Sequence, residues 1–168
     1  VKFLCPAPGY DRHFTISETL GMEMIPIEMT SDGPNMDQVE KLAAEDEAVK
    51  GIWCVPKFSN PQGICYSDET VNRLASMKTA AKDFKIFWDN AYGVHPVFED
   101  VEVKNILDAC EEVGTKNRPY YFFSTSKISF PGAGVSLVAA SDENIAEIKK
   151  IMNAQTIGYD KINQLRHV

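Results

Sequence analysis

The chain has 168 residues, 44% of them hydrophobic and 24% charged, a mix that suits one globular domain with a sizeable core and excludes a disordered chain. Its net charge of -7, from 17 basic and 24 acidic residues, argues against a nucleic-acid-binding surface. Nothing reads as a signal peptide or as an apolar span of about eighteen residues, so no membrane role is expected.

Short apolar runs alternate with helical stretches, the pattern of βαβ units around a largely parallel sheet. A strand is expected over Lys2 to Cys5, a helix over Tyr10 to Leu20 and a strand over Met22 to Glu28. Ser31-Asp32-Gly33-Pro34 reads as a turn. Then come a helix over Asn35 to Glu45, a strand over Gly51 to Val55 and a helix over Ser67 to Ala81. Ser67 has the chemistry of a helix cap, and Leu74, Met77, Lys78 and Ala81 recur at spacings of three and four, as a core-facing stripe does. A strand over Lys85 to Trp88, a shorter helix near Val103 to Glu112, strands over Tyr120 to Ser124 and Val135 to Ala140, and a helix from Asn144 complete the series.

Most of these strands are apolar on both faces, which suits a sheet between two helix layers. Only about ten residues separate Ser124 from Val135, fewer than a parallel crossover needs, so the last two strands are expected to be antiparallel. The fold class expected is therefore α/β, a three-layer α/β/α sandwich whose sheet is mostly parallel with one antiparallel strand.

Cys5, Cys54, Cys65 and Cys110 show no Cys-x-x-Cys spacing, and three of them sit in or beside apolar runs. Reduced thiols and a cytoplasmic location fit that placement. His13, His95 and His167 are scattered without metal-ligand spacing, so no metal site is expected. The chain opens in an apolar run without a starting methionine, and it is read as an internal piece of a longer protein, one domain over residues 1–168. With a sheet strand expected upstream, the isolated piece should be marginally stable.

Three polar clusters follow three successive apolar strands: Ser59-Asn60-Pro61-Gln62-Gly63, Asp89-Asn90-Ala91-Tyr92 and Ser124-Thr125-Ser126-Lys127. Ligands of open α/β sheets bind beyond the carboxyl ends of the strands, where all three clusters would lie. Each has an ordinary structural reading: Asn-Pro-x-Gly as a turn, Asp89 as a cap, Tyr92 as a core residue, Lys127 as a solvated amine. Together they match the needs of a pyridine cofactor bearing an aldehyde, a phenolic oxygen and a phosphate. Lys127 would form the imine and move a proton. Asp89 would pair with the ring nitrogen, Tyr92 and Asn60 would donate to the phenolic oxygen, and Ser124 and Ser126 would offer hydroxyls to the phosphate. Gly132 and Gly134 would let the antiparallel strand approach.

In order and spacing, these three clusters resemble the core of the class I/II aminotransferases of pyridoxal-phosphate fold type I. Cys5-Pro6-Ala7-Pro8-Gly9-Tyr10-Asp11-Arg12-His13 and Lys127-Ile128-Ser129-Phe130-Pro131-Gly132-Ala133-Gly134 are most similar to the MocR-type, aspartate-aminotransferase-like branch. The resemblance covers nearly the whole chain, as an incomplete cofactor-binding large domain. It implies pyridoxal 5'-phosphate as cofactor, catalytic roles for Lys127, Asp89 and Tyr92, and cofactor contacts from Asn60, Ser124, Ser126 and Tyr10. It also implies transfer of an amino group between an amino acid, aspartate favoured, and a 2-oxo acid such as 2-oxoglutarate, by a homodimer with its site at the subunit interface.

One departure stands out. Many relatives place an arginine a few residues past the imine lysine to bind phosphate, whereas Ile128 to Ser136 contains no basic residue. Backbone amides or groups outside the chain would then meet that charge. A decarboxylase or carbon-sulfur lyase of the same fold, and a non-catalytic sensor domain of a transcription regulator, remain alternatives.

Overall fold

The computed structural model describes residues 1–96 and 98–168. Its elements run β1 (Lys2–Ala7), α1 (Asp11–Thr19), β2 (Glu23–Thr30), β3 (Gly33–Pro34), α2 (Met36–Glu45), β4 (Val49–Cys54), α3 (Asp68–Ser76), β5 (Lys85–Asp89), α4 (Ile106–Glu112), β6 (Pro119–Ser124), β7 (Ser136–Ala139), α5 (Asp142–Gln155) and α6 (Lys161–Leu165). The strands form one sheet in the order β3-β2-β1-β4-β5-β6-β7. Strands β2, β1, β4, β5 and β6 are parallel, and β7 runs antiparallel to β6 with Phe123 opposite Leu137.

Residue alternation along the strands builds two unequal cores. Leu4, Ile52, Ile86 and Trp88 point to one face, where Val39 and Ala43 of α2, Val71 and Leu74 of α3, and Ile106 and Ala109 of α4 cover them. Each aliphatic side chain so buried contributes about 1.5–3 kcal/mol, so this larger core carries most of the stability. On the other face Phe3, Cys5 and Trp53 pack with Phe14 of α1, Met24 and Phe87. The start of α5 joins the same face, since Lys85 Nζ lies over the Tyr120 ring and donates to Asn144 Oδ1 at 2.8 Å. Helices thus lie on both sides of the sheet, as expected for a three-layer α/β arrangement. Gly51 sits in the middle of β4 because a Cβ there would collide with the Phe3 ring and lie 2.6 Å from the Lys85 carbonyl oxygen.

Ser67 caps α3 as expected, its hydroxyl accepting from Thr70 N at 3.2 Å. The helix stops at Ser76, however, not at Ala81. Arg118 Nη1 donates to the carbonyls of Ala75 and Met77 at 3.1 and 2.8 Å, and Thr115 Oγ1 donates to Ala75 at 2.9 Å. These donors satisfy the final carbonyls, and Met77 turns out with ψ 150°. Met77 and Ala81 are still buried, so the stripe marks core residues beyond the helix end. Two short elements were not foreseen. Gly33–Pro34, expected as part of a turn, pairs back onto Met29 and Thr30 as the antiparallel β3, with Gly33 at φ +126° pressed against Thr70 and Tyr66. Helix α6 is capped by Asp160, whose carboxylate accepts from Asn163 N at 2.9 Å. Among the described residues, no helix is long and apolar enough to cross a membrane.

Candidate functional site

The strand order reverses direction at β1, which has β2 on one side and β4 on the other. Such a switch point opens a crevice at the carboxyl ends of the strands. Four chain segments meet there: the start of α1 after β1, the loop after β4, the end of β5 and the turn after β6. They enclose a cavity of about 200 Å³ lined by Tyr10, Val55, Asn60, Asp89, Ala91, Tyr92, Ser124, Ser126 and Lys127. All seven residues singled out from the sequence therefore line one cavity.

Asp89, the last residue of β5, anchors the floor. Its Oδ2 lies 2.9 Å from His13 Nε2, and the His13 side chain is only 8% exposed. The imidazole is held flat against the Trp53 indole, with ring centroids 4.3 Å apart and an interplanar angle of 8°. Trp53 is fixed in turn by its Nε1–H, which donates to Ser17 Oγ at 3.1 Å. Tyr10 meets the His13 ring edge-on at 5.4 Å. One helix thus supplies an aromatic wall, a partner for Asp89 and an anchor for the tryptophan beneath.

The turn after β6 brings the lysine to the same cavity. Lys127 Nζ sits over the Tyr92 ring, 5.4 Å from its centroid, where the ring face favours a cation. His95 Nε2 lies 2.8 Å from the Lys127 carbonyl oxygen, tying the turn after β6 to the loop after β5. Ser124 Oγ donates to Ser126 Oγ at 2.8 Å and accepts from Ser126 N at 3.0 Å, so Ser126 keeps its own hydroxyl hydrogen to donate. Gly134 at the start of the returning strand abuts this pair: a Cβ there would lie 2.7 Å from Ser126 Oγ. The close approach expected of that glycine is real. Gly132 serves instead as a turn residue at φ +83°.

Among the described residues lining the cavity, Lys127 is the one cationic side chain. No second basic side chain among the described lining residues offsets the lack of one over Ile128 to Ser136. His13 was missed as a site residue. Its signal was faint, since it lies 76 positions from Asp89, and only the fold joins them.

The whole chain, residues 1–168, matches the family model described as aspartate amino-transferase. A Mycolicibacterium smegmatis protein whose assignment as an aminotransferase is provisional is 53% identical across the full chain, which spans 40% of it. The crystal structure of an aspartate transaminase from Corynebacterium glutamicum superimposes with a TM-score of 0.96 at 48% identity, over 99% of this chain and 39% of that one. The α-aminoadipate aminotransferase of Thermus thermophilus, solved with N-(5'-phosphopyridoxyl)-L-leucine, shares the fold at 21% identity and a TM-score of 0.82, over 97% of this chain and 41% of that one. The chain spans about two fifths of the length of the curated relatives it matches.

Proposed function

The chain belongs to the aspartate aminotransferase family, and from that premise we propose that it is the cofactor-holding part of a pyridoxal-phosphate-dependent aminotransferase acting on aspartate and 2-oxoglutarate. The observation that carries this reading is the single cavity that sets the Lys127 amine and the His13-braced Asp89 among hydroxyl and amide donors. The neighbour from Thermus, solved with a phosphopyridoxyl amino acid, supports the choice of cofactor.

The donor set fits the group. Lys127 suits its aldehyde, Asp89 its ring nitrogen, Tyr92 and Asn60 its phenolic oxygen, and Ser124 and Ser126 its phosphate. When bound, pyridoxal phosphate supplies an aldehyde that takes up an amine and a cationic ring that withdraws electrons from the carbon attached to that amine. Asp89 would keep a proton on the ring nitrogen, with His13 orienting the carboxylate and shielding it from water. Lys127 Nζ would attach to the aldehyde and, when free, would hold and move a proton beside the carbon that carries the substrate amine. Tyr10 would pack against the ring. With Lys127 joined to the aldehyde, no other lining side chain would bring a cation to the phosphate, so hydroxyls and groups beyond these residues would meet it. Family likeness adds a homodimer with its sites at the subunit interface, and a cytoplasmic location.

The test is an absorbance spectrum of the full-length protein with pyridoxal phosphate, before and after borohydride, with a Lys127→Ala control. A visible band trapped on Lys127, lost with aspartate and restored by 2-oxoglutarate, is the expected result. Absence of a band in folded protein overturns the reading. Release of carbon dioxide or sulfide from substrate points to a lyase instead, and a band indifferent to every amino acid points to a sensor.

A further inference from the structure

The side chains proposed to donate to the phenolic oxygen come from different loops, Asn60 from the one after β4 and Tyr92 from the one after β5. Among the described residues these two loops exchange no backbone hydrogen bond. Lys57 joins them. Its ammonium donates to the carbonyl of Gly93, the residue after Tyr92, at 3.1 Å and to Asp100 Oδ1 at 2.7 Å. The Lys57 side chain is only 9% exposed, whereas that of Asp100 is 70% exposed. An ammonium so withdrawn from water must be partnered, and the Gly93 carbonyl is one of its two partners.

The loop that carries Lys57 is shaped to place it there. Phe58 stands at φ +48°, a left-handed conformation that is strained for a bulky residue. Surrounding bonds hold it: Phe58 N donates to Cys65 Sγ at 3.4 Å, Ser59 N to Ile64 O at 2.9 Å, and Ile64 N to Ser59 Oγ at 3.1 Å. Across this twist the chain sends two side chains to different places. Asn60 lines the cofactor cavity, whereas Lys57 lines a separate cavity of about 580 Å³ with Trp88, Asn90 and Tyr121. Lys57 does not line the cofactor cavity and so has no contact with its reacting atoms.

We propose that Lys57 is a positioning residue that fixes the Tyr92 hydroxyl against the cofactor by clamping the Gly93 carbonyl to the Asn60 loop. The inference rests on the pyridoxal-phosphate reading. A donor to the phenolic oxygen makes that oxygen a poorer partner for the proton on the Schiff-base nitrogen, so a well-placed Tyr92 lowers the pH at which that proton leaves. Lys127, His95, Asp89 and Tyr10 are the titratable groups described around Tyr92, and Lys57, whose charged partner is Asp100, bonds to none of them.

The experiment is a pH titration of the visible band in the full-length, cofactor-loaded protein, comparing the parent, Lys57→Met, Tyr92→Phe and the double variant. Lys57→Met is expected to raise the midpoint by about 0.5–1 pH unit, the scale of one weakened hydrogen bond. Acting through Tyr92, it should add nothing to Tyr92→Phe in the double variant. A Lys57→Met midpoint equal to the parent's, or additive shifts, overturns the inference while leaving the cofactor reading intact. A parent without any visible band overturns both. Should Lys57→Met fail to fold, Asp100→Ala at the exposed end of the pair is expected to shift the midpoint the same way by a smaller amount, and no shift there overturns the inference.

Discussion

His13 and Asp89 face each other at 2.9 Å between an imidazole nitrogen and a carboxylate oxygen. With its Nε2 protonated the histidine donates to Asp89, and its own ring is clamped on Trp53. Removing the bond while keeping the stack separates orientation from packing. His13→Phe is expected to retain the fold and lower the rate of the aspartate half-reaction about tenfold. Asp89→Ala, which removes the partner proposed for the ring nitrogen, should lower it at least about a hundredfold. Single-turnover decay of the visible band on adding aspartate measures both.

Tyr92→Phe deletes one hydroxyl from the cavity and leaves the ring beneath Lys127. The expected outcome is a visible band whose pH midpoint rises by about one unit, with cofactor still bound. A spectrophotometric titration reads this directly. A fall in the midpoint would contradict the role assigned to Tyr92.

Gly134→Ala places a methyl carbon against the Ser126 hydroxyl, at 2.7 Å before relaxation. The serine pair must shift, and with it the donors proposed for the phosphate. Cofactor affinity is expected to fall about tenfold, with the global unfolding midpoint changed little, because Gly134 lies outside both cores. Equilibrium dialysis against pyridoxal phosphate and urea unfolding together test the two halves of the expectation.

Gly51→Ala should do the opposite. The added carbon meets the Phe3 ring on one side and the Lys85 backbone on the other, and backbone at the sheet centre yields little. A loss of about 2–3 kcal/mol in unfolding free energy is expected from urea titration.

The cysteines differ in reactivity. Burial pushes the Cys5 thiol up to about 11 and raises those of Cys54 and Cys110 as well. At pH 8 the raised values favour the protonated thiols, so these three should resist alkylation in the native state. Cys65 is part-exposed, and mass spectrometry after brief iodoacetamide treatment should find it modified first.

The strand ends were legible because each apolar run terminates abruptly in polar residues, and a parallel sheet delivers such ends to one edge. Asn60, Asp89, Tyr92 and Lys127 could be read for that reason. The short connection between Ser124 and Val135 likewise foretold the reversal of β7. What stayed hidden depends on contacts distant in sequence. Arg118 ends α3 from 41 residues beyond Met77, and no local pattern announces it. Lys57 looks like any loop lysine until the fold brings Gly93 and Asp100 to it.

The reversal of β7 also sets a problem of distance. A strand that turns back carries the chain to the far edge of the sheet, where Asn144 binds the Asn117 carbonyl at 2.9 Å. Helix α5, with 14 residues, spans about 21 Å and returns the chain to the lysine end. There His167 Nε2 lies 2.8 Å from Ser129 Oγ, and Asn163 Nδ2 donates to the Gly134 carbonyl at 3.3 Å. The helix therefore works as a ruler. Adding one residue to it would advance the following segment by about 1.5 Å and swing it by about 100° around the helix axis, so the number of residues in α5 determines which side chains arrive beside the Lys127 turn.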